Sequence, residues 1–504
     1  MNNKLNQISA QFLRRLRRQS KEIVDKLHPV SEPTDPATES KIQALWEQAD
    51  FEALISEELQ PSNKSEINII NEAKAALKLL NTPILDNVAK GRKIRPTESY
   101  KTVTILHSSL PHHPGGYSNR AQGLLKGIKK LGVEIVGYTR PGFYREIVDK
   151  SAVPPFPTDL VDEVNYHHLA DSVRRGRGEF QYMYSCIEIY RDIFASENPD
   201  VVHVRSTFLI ALPAIIAAKS LGIPVVYEIS GLWELVYEGR GEIGRAKRAT
   251  RMENASVLGA TRTVTMNSAM AELLKSRVSR PVDIGLVPNA VDLTKFSDLP
   301  EWETQDEQYD LGYIGSLVDY EGLDLLLHAI AHLRDNGYEF TAKIVGRGHQ
   351  LEILQELASS LQLNNLVAFT GPVPADQVQK HFAQIRIIVL PRKTTPATER
   401  VTPLKPFEAM ASKRALITSD VSALNELSQH GTATTVFRSG DYIALAEAIL
   451  RLSTDELQRK TQIENAFEMV RGFHSWDNIA TIMEAELREH ARADYSFHPR
   501  SNFK

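Results

Sequence analysis

The sequence is poor in cysteine, in net charge and in long apolar runs, and each shortage excludes a class of protein. Cys186 is the single cysteine among 504 residues, so an internal disulfide is excluded and a reducing cytosol is favoured. A formal net charge of −4 argues against a general nucleic-acid-binding protein. The most apolar run, Phe208 to Ala218, contains Pro213 and is too short for the roughly 20 apolar residues of a membrane span. It predicts a buried helix behind a strand.

Metal-ligand patterns are absent from the sequence as well. Neither the spacing of zinc ligands nor that of a calcium-binding loop occurs, and no pair of aspartates follows a predicted strand. We therefore expect no metal site and no metal requirement for activity.

The first 28 residues are basic and amphipathic. They carry seven lysines and arginines and two acidic residues, Glu22 and Asp25, which gives a net charge of +5. The basic run at 14–18 does not fit a secretory signal sequence. Apolar residues follow one helical face at Leu5, Ile8, Phe12 and Leu16. Such a helix binds an anionic membrane surface, or it docks on its own protein or on a partner, and both interpretations stay open.

The rest of the chain alternates between strand-like and helical patterns. Residues 28–40 predict a linker, and helical apolar spacing follows at 41–60 and 65–80. Buried apolar runs then recur between helical segments at 103–106, 135–136, 201–202 and 225–227. After an acidic connection the rhythm begins again at 311–314, 341–345, 367–369 and 387–390. This alternation predicts an α/β protein with two Rossmann-like, doubly wound lobes that face a cleft, behind a helical N-terminal extension.

Residues 402–420 read as a loop, a helix and a short buried strand. Phe407 and Met410 have the spacing of one apolar helix face, which puts Glu408 in the first turn with Lys405 just ahead of it. A cation and a carboxylate at one helix start suit a sugar-nucleotide, with Lys405 for the diphosphate and Glu408 for ribose hydroxyls. A capped core helix with a solvated lysine is the other interpretation.

Five stretches carry a resemblance to a known family and occur in that family's order. They are the segment 402–420, Gly115-Gly116 with the helix behind it, Asp200–His203, Val287–Asp292 with Phe296, and Tyr313–Leu317. Through these motifs, residues 100 to 490 resemble the family-4 (group 1) retaining glycosyltransferases, which have the two-lobed GT-B fold. The resemblance does not reach the first hundred residues. The helical spacing at 41–60 and 65–80 predicts a helical extension (1–99). The resemblance implies an acceptor-side lobe (100–295), a nucleotide-sugar-binding lobe (296–475) and a C-terminal helix (476–490) that returns to the first lobe.

The activity that the resemblance implies is hexosyl transfer from a nucleotide diphosphate-sugar to an acceptor hydroxyl, with retention of the anomeric configuration. The donor is a substrate, so no cofactor is implied, and cations and helix ends take the place of a metal. The implied acceptor is a glycan or a lipid-linked glycan of cell-surface synthesis, with no nucleic acid as partner. A cytoplasmic location follows, at the inner membrane face if residues 1–28 contact an anionic membrane.

The resemblance also implies which loops line the site. Gly115 and Gly116 would border the donor phosphates and the acceptor. Gly315 and Ser316 belong to the equivalent loop of the second lobe, and Gly346 would lie near the nucleotide base.

Two positions of the second loop depart from the family pattern. An arginine after the first glycine and a lysine before the last one usually clamp the diphosphate, but Ser316 and Glu321 stand there. A carboxylate would repel the diphosphate, so we expect Glu321 to point elsewhere or to be paired. Lys405, Arg392 and Arg400 are the candidates for the missing cations, and we expect Lys405 and Arg392 to act in catalysis.

The spacing of the two glutamates that the family uses for the donor sugar also differs in this sequence. The family carries two glutamates separated by seven residues, but Arg400 stands eight positions before Glu408, and Glu399 lies one position further back. Glu399 would serve the sugar hydroxyls if the loop bulges, and otherwise it is a solvated loop acid.

The acceptor side lacks a histidine near Ser230, where family members often carry one that faces the anomeric carbon. Glu228 and Glu234 end or follow the preceding strand, so we expect one of them to face the acceptor. His203 is interpreted as structural, because a lone histidine at a strand end more often is.

Two other functions stay open at this point. One is another two-Rossmann enzyme, such as a sugar-nucleotide epimerase or a phosphorylase. The other is a catalytically inactive subunit that binds a sugar-nucleotide or glycan in the same cleft, which the altered clamp at Ser316, Glu321 and Arg400 makes conceivable.

Overall fold

The computed structural model describes residues 40–56, 59–83, 99–153, 156–169, 175–299, 308–374, 377–428 and 431–491. The basic segment 1–28 and the linker up to residue 39 lie outside the described residues.

In the part of the chain that the structure describes, three helices precede the first strand: α1 (Lys41–Gln48), α2 (Phe51–Ser56) and α3 (Lys64–Leu80). The Ser40 hydroxyl and the Asn63 amide oxygen accept backbone N–H groups at the starts of α1 and α3. Phe51 is fully buried, and its ring lies 5.6 Å from that of Phe180 in the next lobe. The extension therefore shares the core of that lobe rather than forming a core of its own.

Lobe one is built on an eight-stranded sheet. Its strands are β1 (Lys101–Leu106), β2 (Glu134–Thr139), β3 (Thr158–Val161), β4 (Val164–His168), β5 (Val201–Arg205), β6 (Val225–Ile229), β7 (Arg262–Thr265) and β8 (Ile284–Leu286). They lie in the order β3-β4-β2-β1-β5-β6-β7-β8. All pairs are parallel except β3 with β4. Parallel strands need crossover connections, and helices supply most of them here.

Those helices are α4 (Gly116–Lys130), α5 (Phe143–Ile147), α6 (Glu179–Glu197), α7 (Phe208–Ser220), α8 (Trp233–Gly239), α9 (Ile243–Gly259) and α10 (Ser268–Arg277). The apolar run of the sequence is α7, which directly follows β5 and is buried from Phe208 to Lys219. The prediction of a buried helix behind a strand is confirmed.

Lobe two has six strands, all parallel: β9 (Tyr309–Ile314), β10 (Ala342–Val345), β11 (Val367–Gly371), β12 (Ile385–Leu390), β13 (Ala415–Ser419) and β14 (Thr435–Phe437). Their order is β11-β10-β9-β12-β13-β14, which is the doubly wound Rossmann order. Helices of this lobe are α11 (Leu323–Asp335), α12 (Leu351–Ser360), α13 (Val378–Ala383), α14 (Lys405–Ala411), α15 (Ser422–Asn425), α16 (Tyr442–Thr454) and α17 (Glu456–Gly472). The predicted fold class is thereby confirmed.

The last described helix, α18 (Trp476–His490), packs on α4 of lobe one. Two glycines of α4 make room for it: a Cβ atom at Gly123 would lie 2.4 Å from the ring of Trp476, and one at Gly127 would lie 2.5 Å from Cβ of Ala480. Ile479, Met483 and Leu487 are fully or almost fully buried in a core shared with lobe one.

The chain passes between the lobes twice, and the two passages lie side by side. The N–H of Val291 donates to the carbonyl of His474 over 2.9 Å, and the N–H of Trp476 donates to the carbonyl of Val291 over 3.3 Å. The His474 imidazole nitrogen Nδ1 also lies 2.9 Å from the carbonyl oxygen of Asn289.

Candidate active site

Each sheet has a point where its strand order reverses, and the loops at that point diverge to leave a crevice. In lobe one the reversal lies between β1 and β5, and in lobe two between β9 and β12. Ligands of doubly wound sheets bind in this crevice, at the carboxyl ends of the strands. The loops that follow β1, β9 and β12 carry Gly115, Gly315 and Arg392, so the sequence-derived candidates fall at the expected edge of each sheet.

The glycines of lobe two allow two loops to cross at close range. The Gly346 backbone has φ +144°, and a Cβ atom there would lie 1.8 Å from the carbonyl oxygen of Gly315. At Gly315, with φ +154°, a Cβ atom would lie 2.2 Å from Cε of Lys405. Only glycine fits such contacts at these dihedral angles. The loop after β9 is therefore pressed between the loop after β10 and the side chain of Lys405.

Glu321, which stands where the resemblance leads one to expect a lysine, is buried and paired. Its carboxylate oxygen Oε1 lies 2.8 Å from the ammonium of Lys405 and 3.6 Å from Nε of Arg392. Burial alone would raise the pKa of Glu321, but the charges of Lys405 and Arg392 hold it below its usual value. The expectation that Glu321 is paired is confirmed, and two cations surround one carboxylate, which leaves this cluster with a net positive charge.

Arg392 is 6% exposed, and its guanidinium lies over the ring of Tyr320 at 5.5 Å. One N–H group donates to the carbonyl of Val401 over 3.2 Å, whereas Nε makes no hydrogen bond of acceptable geometry within the described residues. A buried guanidinium N–H without an acceptor suits an anion that arrives with the ligand.

Arg347 is a cation of this region that the sequence analysis did not assign. It is exposed on the loop after β10, and its carbonyl accepts the N–H of Leu317 over 2.9 Å, so it adjoins the loop that carries Ser316. Within the described residues its guanidinium makes no ion pair. Its position in the tight Gly346–Gly348 turn was visible in the sequence, but which loop this turn touches was not.

Glu408 lies in the first turn of α14, as the sequence predicts. Its carboxylate makes no hydrogen bond or ion pair with the other described residues and is partly exposed. Burial raises its pKa, against the opposing charges of Lys405 and Lys295. A half-buried carboxylate with unused acceptor capacity can bind hydroxyl groups, so the ribose-binding role of Glu408 stays a prediction.

The two remaining candidates of this loop have partners inside the protein. Glu399 accepts the backbone N–H of Ser422 over 3.1 Å and also the Ser422 hydroxyl, at the start of the short helix α15. Arg400 donates to the carbonyl of Ala269 in lobe one over 3.3 Å. Neither group is brought to Glu321, so Lys405 and Arg392 are the proposed replacement cations that the structure brings together.

In lobe one, the site loop after β1 ends at Gly115 and Gly116, where α4 begins. A Cβ atom on either glycine would meet no atom within 4 Å, so the backbone here faces open space that a ligand can approach. Behind this loop the hydroxyl oxygen of Tyr117 accepts the N–H of His107 over 2.9 Å, and Arg205 lies over the Tyr117 ring at 4.7 Å.

Glu228 does not face the cleft, which corrects the prediction that it faces the acceptor. It is fully buried, and its carboxylate lies 2.8 Å from Nε of Arg120, 2.8 Å from Nε of Arg205 and 3.0 Å from Nε2 of His203. Burial disfavours its charged form, but the Arg205 and Arg120 guanidinium groups hold its pKa well below the usual value. Glu228 is therefore the centre of a buried charge network, and His203 is structural, as expected.

Glu234, the other candidate for the acceptor side, is also buried. It is 2% exposed, and its carboxylate oxygen lies 2.7 Å from a guanidinium nitrogen of Arg277. The prediction that one of these two strand-end glutamates faces the acceptor is wrong for both.

Polar contacts join the two lobes next to the site. The Asn289 amide of lobe one donates to the carbonyl of Thr402 over 2.7 Å, and the Asn267 amide donates to the Thr402 hydroxyl over 2.8 Å. Asn289 in turn accepts an N–H of Arg120 over 2.8 Å. The loop after β12 of lobe two is thus bonded to the charge network of lobe one, through residues that follow the carboxyl ends of β7 and β8.

Two family models match the chain and together cover more than half of it. "Glycosyl transferase 4-like domain" matches residues 115–290, and "Glycosyl transferases group 1" matches residues 308–455. The boundary between these matches lies in the connection between the lobes.

Curated relatives include an uncharacterized glycosyltransferase of Methanocaldococcus jannaschii, 24% identical over 258 residues, which are 47% of this chain and 65% of that protein. The gpi3 subunit of phosphatidylinositol N-acetylglucosaminyltransferase from Schizosaccharomyces pombe is 24% identical over 307 residues, which are 60% of this chain and 64% of that protein. The matched part thus spans about two thirds of the length of these relatives.

Solved structures share the fold. Sucrose-phosphate synthase of Thermosynechococcus elongatus has a TM-score of 0.64 at 17% identity, over 77% of this chain and 98% of its own. Anabaena HepE in complex with UDP-glucose has a TM-score of 0.58 at 16% identity, over 77% of this chain and 98% of its own. Among the described residues, no helix is both long enough and apolar enough to cross a membrane.

Proposed function

Because the chain belongs to the group 1 glycosyltransferases, we propose that it transfers a hexose from a nucleotide diphosphate-sugar to a hydroxyl group of a glycan or lipid-linked acceptor. The single observation that carries this proposal is the cluster of Lys405, Arg392 and Glu321 at the strand-order reversal of lobe two. Two cations around one carboxylate leave a positive charge where a doubly wound lobe binds a nucleotide.

The chemistry that fits this cluster is electrostatic stabilisation of a leaving diphosphate. The bond between the anomeric carbon and the phosphate oxygen breaks, and the acceptor oxygen forms the new bond to that carbon. The acceptor proton passes to the departing phosphate oxygen, and the nucleoside diphosphate leaves. Cations that contact the phosphates stabilise the charge that grows in the transition state, which is commonly the largest catalytic contribution.

Three cations are available for this task. Lys405 and Arg392 contact Glu321, and Arg347 lies on the loop after β10 and makes no ion pair with any residue that the structure describes. Glu408 supplies the carboxylate for the ribose hydroxyls. We propose retention of the anomeric configuration on the strength of the family resemblance, with the acceptor attacking from the face that the diphosphate leaves.

The experiment is a mass-spectrometric screen of nucleotide sugars for hydrolysis and transfer by the full-length protein, with Lys405→Ala as the matched inactive variant. Release of a nucleoside diphosphate that depends on Lys405 supports the proposal. NMR of the transferred product reports its anomeric configuration. A product that is an isomer of the intact nucleotide sugar would instead identify an epimerase.

A catalytically inactive binding subunit is the second candidate, and one observation favours it. Glu321 uses part of the cation charge that a diphosphate needs, because Lys405 lies 2.8 Å from it. Binding of a nucleotide sugar in calorimetry without turnover on a broad acceptor panel would support this candidate over the enzyme.

We also propose that residues 1–28 contact an anionic membrane surface, which would bring the enzyme to a lipid-linked acceptor. The segment has a net charge of +5, and each basic residue contributes about 1 kcal/mol near such a surface, an attraction that salt weakens. Full-length protein should sediment with phosphatidylserine vesicles at low salt and be released at high salt. A chain that lacks residues 1–28 should remain in the supernatant yet still hydrolyse donor; sedimentation of both proteins alike would refute the contact.

A further inference from the structure

Three potential metal ligands from separate segments of lobe one converge at one point. They are His112 on the loop after β1, Asp159 on β3 and His168 at the end of β4. Nε2 of His112 lies 2.8 Å and Nε2 of His168 lies 2.7 Å from the same oxygen, Oδ2 of Asp159. One nitrogen or oxygen of each residue lies within 4.8 Å of the others. Their spacing in the sequence gave no sign of this group, and the expectation of no metal requirement stays a prediction.

The surroundings orient His168 as they would a metal ligand. Its second ring nitrogen, Nδ1, lies 3.0 Å from the hydroxyl oxygen of Thr139, which leaves Nε2 to face Asp159. The His168 side chain is fully buried. A histidine that binds a metal commonly has its other ring nitrogen held by such a hydrogen bond.

His112 gives an independent indication. Its Nε2 atom is buried and lies near Asp159, yet it makes no hydrogen bond of acceptable geometry within the described residues. If each histidine simply formed a hydrogen bond with Asp159, both Nε2 atoms would be satisfied. In the structure only Nε2 of His168 makes such a bond. An ion held between the three ligands would satisfy the nitrogen of His112 as well.

The cluster is closed on one side and open on the other. The Tyr144 ring lies 5.4 Å from that of His112 and 5.1 Å from that of His168 and shields them. Side chains of His112 and Asp159 remain 21% and 20% exposed. Arg140, the nearby cation, is neutralised by Glu146 at 2.5 Å. A fourth ligand can therefore reach the ion from solvent.

We propose that His112, Asp159 and His168 bind one zinc-type divalent ion with an open coordination position. Two imidazole nitrogens and one carboxylate oxygen are a donor set that Zn²⁺ binds, and three protein ligands with a free fourth position are typical of sites where the metal meets a substrate. β4 is parallel to β2, and His168 pairs with Thr139 at its carboxyl end, so the site lies on the same sheet edge as the Gly115 loop. It is thus placed to bind an acceptor oxygen, and it is separate from the cations of lobe two.

The two contacts between Asp159 and the imidazoles need only a small adjustment for an ion. Ligand atoms around a tetrahedral Zn²⁺ are about 3.3 Å apart, given metal–ligand distances of about 2.0–2.1 Å. The present contacts of 2.7 and 2.8 Å therefore have to widen by roughly half an ångström. Asp159 is partly exposed and lies on an edge strand, so it can move, whereas Thr139 fixes His168.

The test measures zinc binding to the untagged, full-length protein by calorimetry and follows Co²⁺ binding by its visible absorption. We expect one equivalent of zinc in the wild type and at least a tenfold loss of affinity in His168→Gln and in Asp159→Asn. Thr139→Val, which removes the support of His168, should weaken binding by about tenfold. His167→Gln is the matched control, because that neighbouring histidine stacks on Tyr138 and contacts Thr158.

Circular dichroism establishes whether each variant is folded. If His168→Gln does not fold, the zinc affinity of Asp159→Asn provides the test. Absence of stoichiometric zinc in the wild type overturns the proposal. Equal zinc affinity of the wild type and the folded triad variants also overturns it, because the ion would then be bound elsewhere. Binding is measured without donor or acceptor, so the outcome does not depend on whether the protein is a glycosyltransferase.

Discussion

The ammonium group of Lys405 lies 2.8 Å from the buried carboxylate of Glu321, and this pair joins the helix α14 to the loop after β9. The pair explains how a glutamate can occupy a position that faces a diphosphate site. Lys405 balances the charge of Glu321 before a ligand arrives, and Arg392 provides the positive charge that remains for the diphosphate. The predictions below follow from this arrangement and from other charged groups described above.

Lys405→Ala should lower the turnover rate roughly a hundredfold, as the loss of one group that stabilises a developing anion does, and should weaken donor binding much less. Steady-state kinetics and donor titration separate the two effects. Lys380→Ala, an exposed lysine of the same lobe, is the control. Because Lys405→Ala leaves the buried Glu321 with one cation, the double variant with Glu321→Gln should be the more stable of the two. Wild-type turnover in Lys405→Ala would mean that the phosphates are bound elsewhere.

Glu408→Gln should preserve the fold and weaken donor binding by about 1–3 kcal/mol, the value of a hydrogen bond to a charged group. Calorimetry with the nucleotide sugar measures the change. Glu447→Gln, at an exposed position of α16, should bind donor like the wild type. Unchanged donor affinity in Glu408→Gln would remove the ribose-binding assignment.

Arg347→Ala should weaken binding of the free nucleoside diphosphate by roughly tenfold, since it removes a charge-assisted contact to phosphate. The affinity of the wild type should fall more steeply with added salt than that of the variant, because an exposed cation is screened by ions. Arg451→Ala, on the exposed face of α16, is the control. The same salt dependence in Arg347→Ala and the wild type would show that the guanidinium does not contact the phosphates.

Donor hydrolysis without acceptor should survive excess EDTA, because Lys405, Arg392 and Arg347 supply the positive charge at the phosphates. The assay compares the wild type with Asp159→Asn, in which the proposed zinc site of lobe one is removed. Loss of hydrolysis in both proteins, restored by magnesium or manganese, would contradict a metal-free donor site.

The free energy of unfolding should decrease as the pH rises from about 5 to 8, because of Glu253. Burial and the neighbouring Glu234 raise the pKa of this carboxyl to about 8 from its ordinary value of 4.5. In that window the folded protein retains a proton that the unfolded chain has released, so the free energy of unfolding decreases as the pH rises, by at most about 1.4 kcal/mol per unit. Urea unfolding should show a shallower decrease for Glu253→Gln and an unchanged one for Glu447→Gln. Equal slopes in all three proteins would contradict the raised pKa.

The repeating pattern of strands and helices was readable from the sequence because parallel strands are buried on both faces and stand out as apolar runs. The edge strand β3 and its neighbour β4 were missed, since β3 is short and carries an exposed Leu160. Charge repulsion from the diphosphate predicted that Glu321 points elsewhere or is paired, and the structure shows it paired. Lys405 was considered in the sequence as a cation for the diphosphate.

Side-chain direction and long-range contacts were not readable. Glu228 ends a strand, and a strand-end position does not tell whether the side chain turns to the cleft or into the lobe. Its partner Arg120 lies 108 positions earlier in the chain, so no local pattern connects them. The three ligands of the proposed zinc site were hidden for the same reason, because β3 and β4 were not foreseen.

The paired passages of the chain at Val291 and His474 determine how the cleft can open. A single tether would let the lobes twist and slide, whereas two tethers bonded to each other leave one easy degree of freedom, a swing about the line through them. The hydrogen bond from Asn289 to Thr402 lies beside this line, because Asn289 is two positions before Val291 and contacts His474, so such a swing strains it little. The segment between Arg392 and Lys405 is therefore anchored close to the hinge, and the cluster of Lys405, Arg392 and Glu321, which lies wholly within lobe two, keeps its geometry while the cleft opens and closes.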